Sequence, residues 1–185
     1  MHRKKLNQQM KNLTTLIIAF VITTVTFAQE STYNEDVKKC IKSNGTYAYY
    51  ENMIGKMFTK LEKQYASHNV PDSVWSELKT LNESSLEELT QMIISAYREY
   101  FTHEDIKNMN ALYASQAGQN MLKGDSALTE SDKEVLTEFY SSETGQIITE
   151  SQDFMNESMS EISEMWSSGF YKSLIQKLSA KGFNF

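Results

Sequence analysis

The sequence predicts an all-α fold, a compact bundle of about seven or eight helices containing two similar helix–turn–helix hairpins. Three observations carry that prediction. After residue 29, apolar side chains recur at three- and four-residue steps almost everywhere, with no long alternation of period two. A single proline, Pro71, leaves few forced breaks. Finally, Phe101 to Leu122 (FTHEDIKNMNALYASQAGQNML) is echoed at an offset of 27 by Leu128 to Thr149 (LTESDKEVLTEFYSSETGQIIT).

The chain opens with four basic residues, Arg3, Lys4, Lys5 and Lys11, followed by an uncharged, largely apolar run from Leu13 to Phe27 and small residues at Thr26 and Ala28. This order of charge, apolar stretch and small residues predicts a signal peptide over 1–28, cleaved after Ala28, and a periplasmic or secreted protein. A permanent anchor is the rival reading. Fifteen residues span only about 22 Å as a helix, short of a hydrocarbon core of about 30 Å. Met10 offers a second start, because MKNLTTLIIAFVITTVTFAQ is a complete signal by itself. No cysteine follows the cleavage site, which argues against a lipoprotein.

The remainder, 29–185, fits a single helical domain. A first short helix is expected over about Asn34 to Ser43, stopping at Asn44-Gly45. Cys40, the only cysteine, rules out an internal disulfide and reads as a half-buried small hydrophobe, with an intermolecular bridge as the alternative. A second helix from about Thr46 to Ala66 places Tyr47, Tyr50, Ile54, Met57, Phe58, Leu61 and Tyr65 on one face. Ser67 to Asp72 (SHNVPD) is a loop that puts Pro71 near the first turn of a third helix. A polar patch, Asn82 to Ser85, separates that helix from a fourth, as a kink or a break. These segments make up 29–100.

The two echoing units, 101–122 and 128–149, share Thr102/Thr129, Asp105/Asp132, Tyr113/Tyr140, Ser115/Ser142, Gly118/Gly145 and Gln119/Gln146. Thr-x-x-Asp is a variant capping box, with the hydroxyl bonding an amide three residues on and the acid at a positive helix end. The second serine caps the next helix. A helical glycine costs about 1 kcal/mol relative to alanine, so its recurrence predicts close backbone approach. A long helix over 143–178 closes the chain.

The run YREYFTHEDIKNMNALYASQAGQNML resembles the DUF2059 family of bacterial envelope proteins: an aromatic helix ending in Tyr100-Phe101-Thr102, an acidic start, then a Tyr-x-Ser-x-x-Gly-Gln corner. The resemblance covers about Tyr97 to Trp166. It implies an exported, all-helical envelope domain and brings no catalytic residues with it. The family's proline after the serine is replaced here by Gln116 and Glu143.

From Gln29 onward the formal charge is −10, 14 bases against 24 acids, and the window 124–171 holds eleven acids with Lys133 as its one base. That balance argues against nucleic acid and anionic lipid. The acids read as a solvated helix face, with a docking surface for a basic partner or a loose Ca²⁺ site as alternatives; no EF-hand spacing is present. His68 and His103 lie too far apart for a zinc motif, and no Glu-x-x-His pair, G-x-S-x-G elbow or phosphate loop occurs. A carboxylate-pair glycosidase is not supported by acids on outer faces. The protein is therefore expected to be no enzyme and to need no cofactor.

Methionine pairs at i, i+4, Met53/Met57 and Met155/Met159, read as gap fillers, as an adaptable groove, or as Cu(I) ligands. The functional expectation is a non-enzymatic interaction module that binds a helix of an envelope protein partner. Its groove is expected to use Met155, Met159, Met165 and Trp166, rimmed by acids from Glu150 to Glu164. The alternative is a small-ligand or metal carrier with a cavity among the helices, to which Tyr113 and Tyr140 would contribute polar groups.

Overall fold

Helix α1 covers residues 32–43 in the computed structural model, which describes residues 32–184. The signal peptide and cleavage site expected from the sequence lie outside the described residues. The stop after α1 is chemical. Gly45 takes a left-handed φ of 85°, open to glycine without steric cost, and the Asn44 side chain accepts the Thr46 amide at 3.0 Å.

Seven more helices follow: α2 (Thr46–Gln64), α3 (Asp72–Lys79), α4 (Leu81–Tyr100), α5 (His103–Ala114), α6 (Gln116–Lys123), α7 (Glu130–Ser141) and α8 (Glu143–Ala180). Two short 3-10 turns, Ala66–His68 and Asp125–Ala127, complete the elements, and no strand occurs among the described residues. The fold is all-α, as its periodicity implies. Pro71 sits at the N-cap of α3 with φ −64°, one residue before the first helical position. The break between α3 and α4 falls at Thr80, earlier than the polar patch, so Asn82 to Ser85 form the first turn of α4. Thr80 marks it by donating its hydroxyl to the Glu77 carbonyl at 2.7 Å.

The core runs through α1, α2, α4, α5 and α8, with Trp75 and Leu78 of α3 closing one end. Cys40 is fully buried rather than half-buried, between Val37 and Ile41 on the inner face of α1. Burial pushes its thiol up to about 12, because a thiolate has no solvation there. Helix α8, about 57 Å long at about 1.5 Å per residue, returns across α4. Its Trp166 anchors that return, the indole N–H reaching the Ser85 carbonyl at 2.9 Å and hydroxyl at 3.0 Å. The same ring meets Tyr50 edge-on and stacks with Phe170. Past the helix end, Gly182 and Phe183 bond back to Ser179 and Leu178, satisfying the last carbonyls.

Packing departs from periodicity at two places on α8. Phe154 and Met165 are 61% and 60% exposed. At about 100° per residue, Met165 lies about 80° from Met155 and about 100° from Trp166, at the rim of a groove that it lines with Met92 of α4. The second hairpin unit is also less buried than the first. Ile106, Met109 and Leu112 are buried, while of their counterparts only Leu136 is, and Val135 and Tyr140 face solvent. Helix α5 packs against α1, α4 and α8, whereas α7 is an outer helix joined to a small satellite cluster of Leu112, Ala117 and Leu136.

Leu174 is fully buried near the end of α8. Leu174→Ala is expected to lower stability by about 2–5 kcal/mol, and Phe154→Ala by less than about 0.5 kcal/mol. Denaturant titration of both variants checks the contrast.

Candidate functional site

The corners after α5 and α7 are built alike. Thr102 accepts the Asp105 amide, and the Asp105 carboxylate accepts the Thr102 amide at 2.9 Å and hydroxyl at 2.6 Å. Thr129 and Asp132 repeat this with 2.9 and 2.8 Å. At the far end of each helix a serine works in both directions. Ser115 donates to the Leu112 carbonyl at 2.7 Å and accepts the Gly118 amide at 3.1 Å. Ser142 donates to Phe139 at 2.6 Å and accepts from Gly145 at 3.2 Å. Gln119 and Gln146 then bond the Tyr113 and Ser141 carbonyls. The two glycines are required by space: a Cβ on Gly118 would stand 2.0 Å from the Leu112 carbonyl oxygen, and one on Gly145 2.2 Å from that of Phe139. All twelve shared positions except the tyrosines thus act on the backbone of the corners.

Asp105 does more than cap. Its second oxygen accepts the Thr144 hydroxyl of α8 at 2.6 Å, and Thr144 accepts from Asn108 at 3.0 Å. Asp132 instead accepts from Asn120 of α6 at 3.0 Å. Burial pushes the Asp105 carboxyl up, yet the bonds from Thr102 and Thr144 outweigh it and hold the group below its ordinary value. Thr144, Asn108 and Asn120 had no signal in the sequence, since no spacing marks a polar side chain that crosses between helices.

Helix α1 is tied to this region by polar contacts. His103 meets Asp36 at 2.7 Å, Asn110 donates to the Asp36 carbonyl at 2.9 Å, and Tyr33 donates to the Phe101 carbonyl at 3.1 Å. Nearby, buried Cys40 and Tyr97 meet half-buried Asn44 and Tyr113, and desolvation pushes Tyr113 up to about 12 and Tyr97 higher still. Neutral phenols held this way are structural. Tyr140 is 41% exposed, with its hydroxyl on Met121 sulfur.

Of the groove expected from Met155, Met159, Met165 and Trp166, only one part is brought together: Met165 and Trp166 line a groove of about 460 Å³ between α4 and α8 with Ser85 and Met92. Met155 and Met159 are half-buried against the core instead, and Trp166 is buried with its N–H satisfied. The reason is angular: positions 155, 159 and 166 share the core-facing line of α8, and that line is the seam of the bundle. The acids Glu150, Asp153, Glu157, Glu161 and Glu164 are all exposed, recur at three- and four-residue steps, and form no ion pair among the described residues.

A different groove lies between α2 and α8. It has a volume of about 410 Å³ and a mostly apolar surface. Met53 and Met57 form its floor with Tyr171, Lys56 and Lys60 stand on the α2 side, and Glu164, Ser167 and Ser168 on the α8 side. Lys60 lies 5.7 Å from the Tyr171 ring centre, and Tyr171 donates to Gln64 at 2.6 Å. The methionine pair was legible in the sequence; its pairing with Tyr171, over a hundred residues away, was not. Among the described residues no three His, Cys, Asp or Glu side chains gather as a metal site would need, and no helix is long and apolar enough to cross a membrane.

Residues 87–130 match the model of a family described as an uncharacterized protein conserved in bacteria, DUF2059. The matched segment covers most of α4, the whole first hairpin unit and the cap of α7, and stops where the second unit begins. No curated protein and no solved structure matches the chain.

Two outcomes follow from the corners. Gly118→Ala and Gly145→Ala force a side chain into a backbone carbonyl and are expected to cost about 1–3 kcal/mol. Gly55→Ala, in a helix interior with nothing within 4 Å, should instead stabilise by about 1 kcal/mol. Thermal unfolding of the three variants reads the opposite signs. Asp105, held below its ordinary value, contributes stability that is fully present above about pH 3.9 and lost as pH falls through its folded value. Unfolding free energy measured from pH 7 to pH 2 should therefore fall less in Asp105→Asn than in the native protein.

Proposed function

We propose that the protein is an exported, non-enzymatic interaction module of the bacterial envelope, and that it holds a helix of a protein partner in the α2–α8 groove. The observation that carries this reading is the Met53/Met57 floor. Two thioether side chains at i, i+4 are half-buried, beside Tyr171, in an open apolar channel between two helices. Methionine adapts its shape to an incoming apolar side chain, and an amphipathic helix inserts anchors at the same i, i+3, i+4 spacing. The bundle supplies rigidity, because both groove walls are anchored in the core through Ile54, Phe58, Trp166 and Phe170.

Export is supported by the order of residues 1–28, and the single sealed cysteine suits a protein that needs no disulfide. Two features support the non-enzymatic reading. The His103–Asp36 pair bridges α1 and α5 and lines none of the grooves described here. The low-lying carboxyls of Asp105 and Asp132 are engaged by threonines and an asparagine.

A photo-crosslinking residue at Ser168, exposed in the groove, should trap one envelope protein in intact cells. The same residue at Ser131, exposed on the outer helix α7, should trap none. Equal adducts from both positions, or none from either, would overturn the groove assignment. Mass analysis of the fractionated protein should find Gln29 as its first residue; a chain that stays in the cytoplasm uncleaved would refute export.

A further inference from the structure

Within this groove, and resting on the reading of it as a helix-binding site, the geometry points to an occupant of defined charge: an amphipathic helix with an acidic edge on one flank of its apolar stripe and a basic edge on the other. The argument begins with the two walls. On the α2 side, Lys56 and Lys60 follow the helix at i, i+4 and line the channel. On the α8 side Glu164 lines it and continues the acidic ridge through Glu161 and Glu157.

Opposite charges facing each other across a channel ordinarily close into ion pairs when they can reach. Here they do not: among the described residues neither Lys56, Lys60 nor any of those three acids forms an ion pair. Lys60 instead rests over the Tyr171 ring. Met53, Met57 and Tyr171 line the channel between the walls, and the charges on both walls are without an ion-pair partner among the described residues. A helix lying on that floor with its acidic edge toward α2 and its basic edge toward α8 meets a counter-charge on both sides.

The walls also decide direction. Turning a helix end for end in a groove exchanges its two flanks, so a partner with one acidic and one basic edge fits in a single N-to-C direction. A uniformly basic helix would gain from α8 and be repelled by α2, and a uniformly acidic one the reverse. Engaging the rim charges, Lys56 and Lys60 on one side and Glu164 with Glu161 and Glu157 on the other, is expected to add about tenfold in affinity. A second copy of this chain is disfavoured by its net charge of −10 from Gln29 onward, which opposes self-association.

Three synthetic leucine-striped helical peptides of equal length provide the test, one with Lys on one edge and Glu on the other, one with Lys on both edges, and one with Glu on both. The exported protein is expected to bind the mixed-edge peptide about tenfold tighter than either uniform one. Lys56→Glu/Lys60→Glu, which alters exposed residues only, should keep its melting temperature and switch preference to the all-Lys peptide. Ser168→Trp, filling the channel from an exposed position, should weaken all binding. Equal affinity for all three peptides, still lost with Ser168→Trp, overturns the charge assignment and leaves the groove standing. Failure to bind any peptide, or binding untouched by Ser168→Trp, overturns the groove itself. A native protein that sediments as a dimer, with a monomeric Lys56→Glu/Lys60→Glu variant, makes a second copy the occupant and overturns the inference.

Discussion

The reversals from α5 into α6 and from α7 into α8 hang on the distance between a helix start and the carbonyl that ends the preceding helix. At each corner a serine bonds backward to that carbonyl turn and forward to the new helix, which draws the two backbones together. Only a residue without a Cβ fits at the point of closest approach, and Gly118 and Gly145 occupy it. Relaxing that contact would change the exit angle of α8, and a helix of 38 residues amplifies a small angular error into a large displacement at its far end. The fit of Trp166 against Ser85, and of Phe170 and Leu174 in the core, presupposes the corner.

The corners are also where polar groups are buried with least cost. Asp105 caps its own helix and receives Thr144 from another, so one carboxylate satisfies three donors. A buried carboxylate is expensive unless its acceptor capacity is used, and here Thr102 of the same turn and Thr144 of α8 together offset the expense. The second unit keeps the capping box but sends its spare capacity to Asn120. The two units share a corner and differ in what they dock on, which explains why α7 stays peripheral while α5 is enclosed.

Much of this was readable from residue order. Helix faces on α2 and α5, the stop at Asn44-Gly45 and both Thr-x-x-Asp boxes depend on neighbours within a few positions, and their geometry follows from local spacing. What sequence could not supply was the angular sector of α8 that the other helices cover. Met155, Met165 and Trp166 look equivalent as apolar residues near an acidic run; which of them faces the seam depends on where α2 and α4 lie. The Met53/Met57 pair was visible, but its channel needed Tyr171 and Glu164 from the opposite end of the chain. The same holds for the α1 contacts through Asp36, His103 and Asn110, where nothing in the spacing marks the partners.

The placement of the α8 anchor has a consequence for the order in which the chain can fold. Trp166 finds Ser85 across 81 residues, and Lys181 finds Glu77 across 104, whereas α6 and α7 meet mainly their chain neighbours. Local contacts form quickly and distant ones wait for loop closure. Helices α2 to α4 leave Phe58, Leu78 and Leu89 without part of their cover until Phe170, Leu174 and Leu178 arrive, and those lie far along the chain. The main core is therefore completed only once the second half of α8 has packed onto α2, α3 and α4, so the locally bonded helices form first and the bundle closes as a unit afterwards.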